Sequence, residues 1–184
     1  MTAEEALKRL TRGNEAYCAG AHTIGDTSAQ IRLHTAAHGQ QPYAIVIACS
    51  DSRVIPEAIF DAGIGELFVI RVAGNVIDNH QLGSIEYAAS HLGAKLIVVL
   101  GHTRCGAVDA AMHHDPDGYI RFITDEIADA IADEQDEETA CRLNALHSVV
   151  RIEESLEIRR QERDGLRLCA ALYHVDTGAV EFLP

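Results

Sequence analysis

Metal-type ligands follow two short apolar runs of the sequence. The first run ends on Cys49, with Asp51 two residues further on, and the other run is followed by His102 and Cys105. Zinc binds thiolate, imidazole and carboxylate groups in a tetrahedral arrangement. If the two runs are neighbouring parallel strands, their carboxyl ends meet at one edge of a sheet, where the four side chains converge. We therefore predict a zinc site. Each residue taken singly could be an ordinary core or capping residue, but two ligand pairs at two strand ends favour the metal.

Asp51 and Arg53 form a second chemical feature directly beyond Cys49. The carboxylate could be a fourth metal ligand that closes the site, or it could pair with the guanidinium and leave that position to water. The guanidinium would also lower the pKa of Asp51, because a nearby cation favours the ionised form. The spacing predicts a two-state gate, with a simple surface ion pair as the alternative.

Hydrophobic periodicity predicts the strands and helices that carry these residues. Continuous β-branched runs without alternation are typical of parallel strands buried on both faces. The predicted strands are 43–49, 67–73 and 95–101, followed by a hairpin of 166–175 and 179–183. Predicted helices lie between them at 56–63 and 82–94, and a turn at 115–118 precedes a long helical pair that ends near residue 163. The pattern predicts an α/β fold with a mostly parallel central sheet flanked by helices, four strands being parallel and one an antiparallel edge strand.

Composition narrows the class of protein. A length of 184 residues without a composition break fits one domain over residues 1–184. The formal net charge of −13 argues against nucleic acid or an anionic membrane surface as a partner. No apolar stretch is long enough to span a bilayer, and the first residues lack the features of a secretory signal. Five cysteines form an odd, scattered set, which favours free or metal-bound thiolates in the cytoplasm.

Several motifs in this order resemble those of the β-class carbonic anhydrases. They are "CSDSRV" (49–54), "DAGIGELFVIRVAGNV" (61–76), "LGSIEYA" (82–88) and "LIVVLGHTRCGAV" (96–108). The resemblance runs from about residue 40 to residue 110. It implies an N-terminal helical arm (1–39) that embraces a second subunit, a zinc-binding α/β core (40–184), and a homodimer or a dimer-based higher oligomer.

The resemblance also implies roles for the predicted metal ligands and for the Asp51–Arg53 pair. Cys49, His102 and Cys105 match the zinc ligands of the family, with one Zn²⁺ per subunit. Asp51 and Arg53 match its catalytic Asp–Arg dyad, in which Asp51 is a fourth ligand in the closed state only.

Four further positions match residues that bind substrate in the family: Gln40, Phe68, Tyr87 and Gly106. Gln40 corresponds to a glutamine that reaches substrate or bicarbonate across the dimer interface, and Phe68 and Tyr87 correspond to apolar positions of the carbon dioxide pocket. The implied activity is the reversible hydration of carbon dioxide to bicarbonate and a proton by zinc-bound hydroxide.

Other functions of the same site stay open at the level of sequence. The substrate could be carbonyl sulfide or carbon disulfide. The chain could also be a non-catalytic zinc-binding or bicarbonate-sensing protein in which Asp51 stays on the metal. A thiol-redox enzyme is disfavoured, because the sequence has no Cys-x-x-Cys.

Overall fold

The computed structural model describes residues 1–21, 24–113 and 118–183, so the turn predicted at 115–118 lies almost wholly outside the described residues. The strands are β1 (Ala44–Ala48), β2 (Leu67–Arg71), β3 (Leu96–His102), β4 (Arg167–Tyr173) and β5 (Val180–Phe182). The helices are α1 (Ala3–Cys18), α2 (Ala29–His38), α3 (Pro56–Ile59), α4 (Asn79–His91), α5 (Gly106–Met112), α6 (Arg121–Ile131), α7 (Glu137–Glu153) and α8 (Leu156–Arg163). Short 3-10 segments lie at Ala73–Asn75 and Gly118–Ile120.

The five strands form one sheet in the order β2-β1-β3-β4-β5. β1 is parallel to both β2 and β3, β3 is parallel to β4, and only β5 is antiparallel. The predicted α/β fold, with four parallel strands and an antiparallel edge strand, is thus confirmed. Every residue of β1 and β3 is buried, as the continuous apolar runs predict for strands covered on both faces.

Helices cover the two faces of the sheet and create two apolar layers. Alternate residues of the central strands point to opposite faces, so each strand contributes to both layers. One layer joins the sheet to α4, α7 and α8 through Ile45, Ile97, Ile85, Ile152 and Ile158. The opposite layer joins it to α1 and α3 through Val46, Val98, Ala6, Leu10 and Ile59.

The two helices of the predicted N-terminal arm differ in their packing. α1 begins with a capping box between Thr2 and Glu5 and packs on the sheet of its own chain. Asn14 of α1 donates to the carbonyl of Gly178 at 2.8 Å and accepts from the amide of Val180 at 2.9 Å, which ties the helix to the β4–β5 hairpin. By contrast, α2 has no buried residue.

Three helical predictions need correction. The predicted pair before residue 163 consists of α6, α7 and α8, because Asp136 and Ser155 each cap a new helix with a side-chain oxygen. The helix predicted from residue 82 begins at Asn79 instead, since Asp78 accepts hydrogen bonds from the first amides of α4. The segment predicted at 56–63 is helical only over the single turn of α3. None of the described helices combines the length and apolar character needed to cross a lipid bilayer.

Glycine at the interface of α1 and α3 provides a test of this packing. A Cβ on Gly13 would overlap the backbone carbonyl of Phe60, whereas a Cβ on Gly83 of α4 meets nothing within 4 Å. We expect Gly13→Ala to lower the free energy of unfolding by about 1–3 kcal/mol through overpacking. Gly83→Ala is the matched control, because alanine raises helix stability by up to about 1 kcal/mol at an open helical position. Denaturant unfolding measures both, and equal effects would contradict the close approach of α1.

Candidate metal centre

The ends of β1 and β3 bring three potential metal ligands together. The strands pair in register, with Ala48 opposite Leu100. Cys49 directly follows β1, His102 is the last residue of β3, and Cys105 precedes α5. The two sulfur atoms and an imidazole nitrogen lie within 4.8 Å of one another, and all three residues are buried. The predicted convergence of these three residues is therefore observed.

The hydrogen bonding of His102 fits a metal ligand. Its Nδ1 lies 3.0 Å from the carbonyl oxygen of Thr103, which can only accept, so Nδ1 carries the proton. Its Nε2 therefore holds the lone pair, yet this buried atom has no hydrogen-bond partner among the described residues. A buried polar atom without a partner costs about 1–3 kcal/mol, a cost that coordination would remove. A metal-binding histidine usually donates its other ring N–H to a carbonyl in this way, which fixes the orientation of the ring.

The surroundings of Cys49 suit a thiolate, and Cys105 is its hydrogen-bond partner. Cys49 Sγ accepts hydrogen bonds from the backbone amides of Gly74 at 3.3 Å and of Asp51 at 3.4 Å. A hydrogen bond from the thiol of Cys105 lowers the pKa of Cys49, and the same bond together with burial raises the pKa of Cys105. Two thiolates and a neutral imidazole form a ligand set that zinc prefers, with one tetrahedral position left for water or another ligand.

Asp51 pairs with Arg53 beside this trio. Arg53 Nε donates to Asp51 Oδ1 at 3.0 Å, and Nη2 donates to Oδ2 at 2.6 Å, so the guanidinium binds both carboxylate oxygens. These hydrogen bonds lower the pKa of Asp51 to about 2 and keep it ionised at neutral pH. Of the two predicted arrangements of this carboxylate, the structure has the one in which it pairs with arginine.

Three further hydrogen bonds fix the loop that carries Asp51. Arg71, at the end of β2, donates through Nε to the carbonyl of Cys49 at 3.1 Å and through Nη2 to the carbonyl of Asp51 at 2.7 Å. Arg53 Nη2 also donates to the carbonyl of Arg104 at 2.9 Å. Arg104 has a φ of +57°, a left-handed conformation rare for arginine, which turns its carbonyl toward Arg53. The two ligand-bearing loops are thereby connected.

Three of the predicted substrate-binding residues lie away from the trio of their own chain. Gln40 is exposed and lies beside Gly65 before β2, at the end of the sheet opposite Cys49. Phe68 pairs with Ile45, four residues before Cys49, which places it about 13 Å back along the strand.

The two remaining predicted residues lie on α4 and at the start of α5. Tyr87 lies on α4 with its ring 6.3 Å from that of Phe68, and 48% of it is exposed. Gly106 alone adjoins the trio, as the first residue of α5, where the backbone amide has no intrahelical acceptor.

The structure adds contacts that the sequence analysis did not identify. Arg71 is a charged residue in an otherwise apolar strand, a pattern that could have indicated a role at the strand end. The amide of Gly74 contacts Cys49, but nothing in the motif specifies that hydrogen bond. The other three cysteines stay outside the trio: Cys18 is exposed, Cys141 is buried and Cys169 is half-buried.

The sequence matches a known protein family and several of its members. The family model for carbonic anhydrase matches residues 44–180. Carbonic anhydrase 2 of Mycobacterium tuberculosis is 47% identical over 131 residues, which cover 68% of this chain and 63% of that protein. The match thus spans slightly less than two thirds of the length of this curated relative.

Solved structures agree with the sequence match. A β-carbonic anhydrase of Coccomyxa in complex with acetazolamide is 26% identical, with a TM-score of 0.74 over 84% of this chain and 78% of that one. A structure from a study of two tetrameric β-carbonic anhydrases of Sordaria macrospora is 27% identical, with a TM-score of 0.66 over 84% and 87%. The family match over most of the sequence and these shared architectures lead to one conclusion: the chain belongs to the carbonic anhydrase family, in its β class.

Proposed function

We propose that this chain catalyses the zinc-dependent, reversible hydration of carbon dioxide to bicarbonate and a proton. The observation that carries the proposal is the buried trio of Cys49, His102 and Cys105, with an unpartnered imidazole nitrogen and an ionised Asp51 beside it. These residues would hold one Zn²⁺. When bound, zinc supplies a Lewis acid that turns water into a nucleophile at neutral pH.

Asp51 would orient the attacking water. An ionised carboxylate has only acceptor oxygens, so it takes a hydrogen bond from water and directs the oxygen lone pair toward carbon dioxide. Arg53 keeps this carboxylate ionised and holds it through two hydrogen bonds, which supports the open state of the proposed gate over a permanently closed one. This pairing is the reason to favour an enzyme over a non-catalytic zinc-binding protein.

Substrate binding in this proposal involves two subunits. Phe68 and Tyr87 form an apolar pair with exposed surface, suited to carbon dioxide, and Gln40 offers an amide for bicarbonate. Because these residues lie away from the trio of their own chain, we propose that they complete the site of a partner subunit. The amide of Gly106 would contribute from the same chain as the ligands.

A dimer or a dimer-based oligomer has further support in surfaces that the single chain leaves open. α2 has no buried residue, and its Leu33 is 73% exposed. The edge strand β2 is only half-buried over Leu67–Ile70 despite its apolar sequence. The tetrameric relatives of Sordaria macrospora agree with such an assembly. All five cysteines are free, which supports the proposed cytoplasmic location.

The metal-ligand assignment is tested by Cys49→Ala and His102→Ala. Each change removes one of three protein ligands from a buried site, so we expect zinc content to fall from about one per chain to near zero, together with carbon dioxide hydration. Metal analysis and stopped-flow hydration measure these two quantities.

Cys169→Ala is the matched control, since it removes a cysteine outside the trio. Retention of zinc by either ligand variant would contradict the assignment. Wild-type hydrolysis of carbonyl sulfide without hydration of carbon dioxide would contradict the proposed substrate.

The role of Asp51 is tested by Asp51→Ala in the zinc-loaded protein. We expect zinc content to stay near one per chain while turnover falls about 100-fold, as for loss of a group that orients the attacking nucleophile. Asp164→Ala removes an exposed acid after α8 and should leave turnover unchanged. Wild-type turnover in Asp51→Ala would remove this carboxylate from the mechanism.

The proposed use of a partner subunit is tested by Leu33→Asp. A charge buried in a subunit interface is strongly unfavourable, so we expect light scattering to detect a smaller assembly and the hydration rate to fall, with zinc retained. Leu156→Asp introduces the same change at a position of similar exposure, 70%, on α8 and should keep the assembly. Full activity in a monomeric Leu33→Asp protein would show that one chain suffices.

A further inference from the structure

A left-handed turn supports the sulfur of Cys49. Gly74 and Asn75 have φ values of +68° and +48°, and the amide of Gly74 donates to Cys49 Sγ at 3.3 Å. Glycine is needed there on two grounds, since it accepts this φ without strain and a Cβ would lie 2.7 Å from Ile127 Cδ1. Asparagine is one of the few other residues that visit this conformation. The position of this donor therefore depends on keeping an uncommon backbone conformation.

Two buried side chains of α7 hold that turn. Asn144 Nδ2 donates to the carbonyl of Gly74 at 2.7 Å, and Ser148 Oγ donates to the carbonyl of Asn75 at 3.0 Å. Both side chains belong to residues that are only 2% exposed. Residues four apart lie on the same face of a helix, so one face of α7 binds two consecutive carbonyls of the turn.

The helix that carries these groups is itself fixed against β3. A Cβ on Gly101 would lie 3.1 Å from Ala145 Cβ and 3.3 Å from the carbonyl oxygen of Cys141, so the absence of a side chain on Gly101 lets α7 pack closely against the strand. Gly101 immediately precedes His102. The same helix therefore contacts the strand that carries one proposed ligand and the turn that supports another.

We propose that Asn144 and Ser148 are positioning residues of the metal centre, which keep the amide of Gly74 on Cys49 Sγ. The hydrogen bonds of these two side chains go to the carbonyls of the turn, so the two groups act on Cys49 through the backbone of that turn. The other buried positions of α7 are apolar, so burying these polar atoms among them is costly unless each hydrogen bond is made. This inference deepens the proposed function and rests on it only through the metal site.

The test compares metal binding in zinc-loaded wild type and Asn144→Ala. Removing the amide leaves the carbonyl of Gly74 without its donor and lets the turn relax away from the sulfur. Loss of a group that contacts a metal ligand typically weakens metal affinity about 10- to 100-fold, and because Asn144 acts one step further out, we expect a decrease of about 10-fold in competition with a zinc chelator. In the Co²⁺-substituted protein, the thiolate-to-metal charge-transfer band should shift, because the donor to Cys49 has moved.

Ile152→Ala is the matched control for a general loss of stability. It empties a fully buried position on the same helix without touching the turn. We expect it to lower the midpoint of unfolding while leaving zinc affinity and the Co²⁺ spectrum unchanged. Ser148→Ala, the milder variant, should change both metal readouts in the same direction as Asn144→Ala, and it decides the question if Asn144→Ala does not fold.

Three outcomes would overturn the inference. The first is wild-type zinc affinity and a wild-type Co²⁺ spectrum in a folded Asn144→Ala protein, and the second is that same result in Ser148→Ala when Asn144→Ala does not fold. The third is a change of both readouts in Ile152→Ala as large as the change in Asn144→Ala. Failure of the proposed function has a different signature. In that case wild-type protein itself fails to bind zinc or to hydrate carbon dioxide, whereas failure of the positioning role leaves both wild-type properties intact.

Discussion

The parallel pairing of β1 with β3 is the constraint on which the site depends. The two strands run side by side in one register, so the residues that follow them leave the sheet at the same edge. Cys49 and His102 therefore meet although 52 intervening residues separate them in sequence. The fully buried strands place the trio where little of its surface is exposed, and electrostatic interactions there are stronger than at the open surface.

Around that edge, backbone groups carry out most of the positioning. Amides of Gly74 and Asp51 donate to Cys49, and a carbonyl fixes the tautomer of His102. Charged side chains then connect the loops, as Arg71 and Arg53 each bind carbonyls near the ligands. Such a network holds the ligand side chains in place, which reduces the conformational entropy that metal binding must otherwise overcome.

The proposed substrate-binding residues Phe68 and Tyr87 lie apart from the metal ligands within one chain. One chain carries the ligands at the carboxyl ends of its strands, whereas its apolar aromatic pair lies further back on β2 and α4. In the proposed arrangement each subunit contributes metal chemistry to one site and substrate-binding surface to another. Subunit association and catalysis would then be linked, because separation of the subunits removes the substrate pocket while it leaves the metal ligands in place.

Residue order alone is enough to predict the fold class and the three residues of the trio. Continuous apolar runs imply strands buried on both faces, and residue chemistry at two strand ends implies a metal. Helix boundaries were less predictable: α6, α7 and α8 were expected as two helices because the caps at Asp136 and Ser155 lie within one long periodic segment. The folded chain was needed to establish that Asp51 pairs with Arg53, that Arg71 holds the ligand loop, and that Asn144 meets the turn at Gly74. For Arg71 and Asn144 the reason is distance along the chain, because hydrogen bonds between residues 20 and 70 positions apart leave no periodicity in the sequence and exist only once packing has brought the groups together. Asp51 and Arg53 are two residues apart, and there the conformation of the loop selects arginine as the partner of the carboxylate.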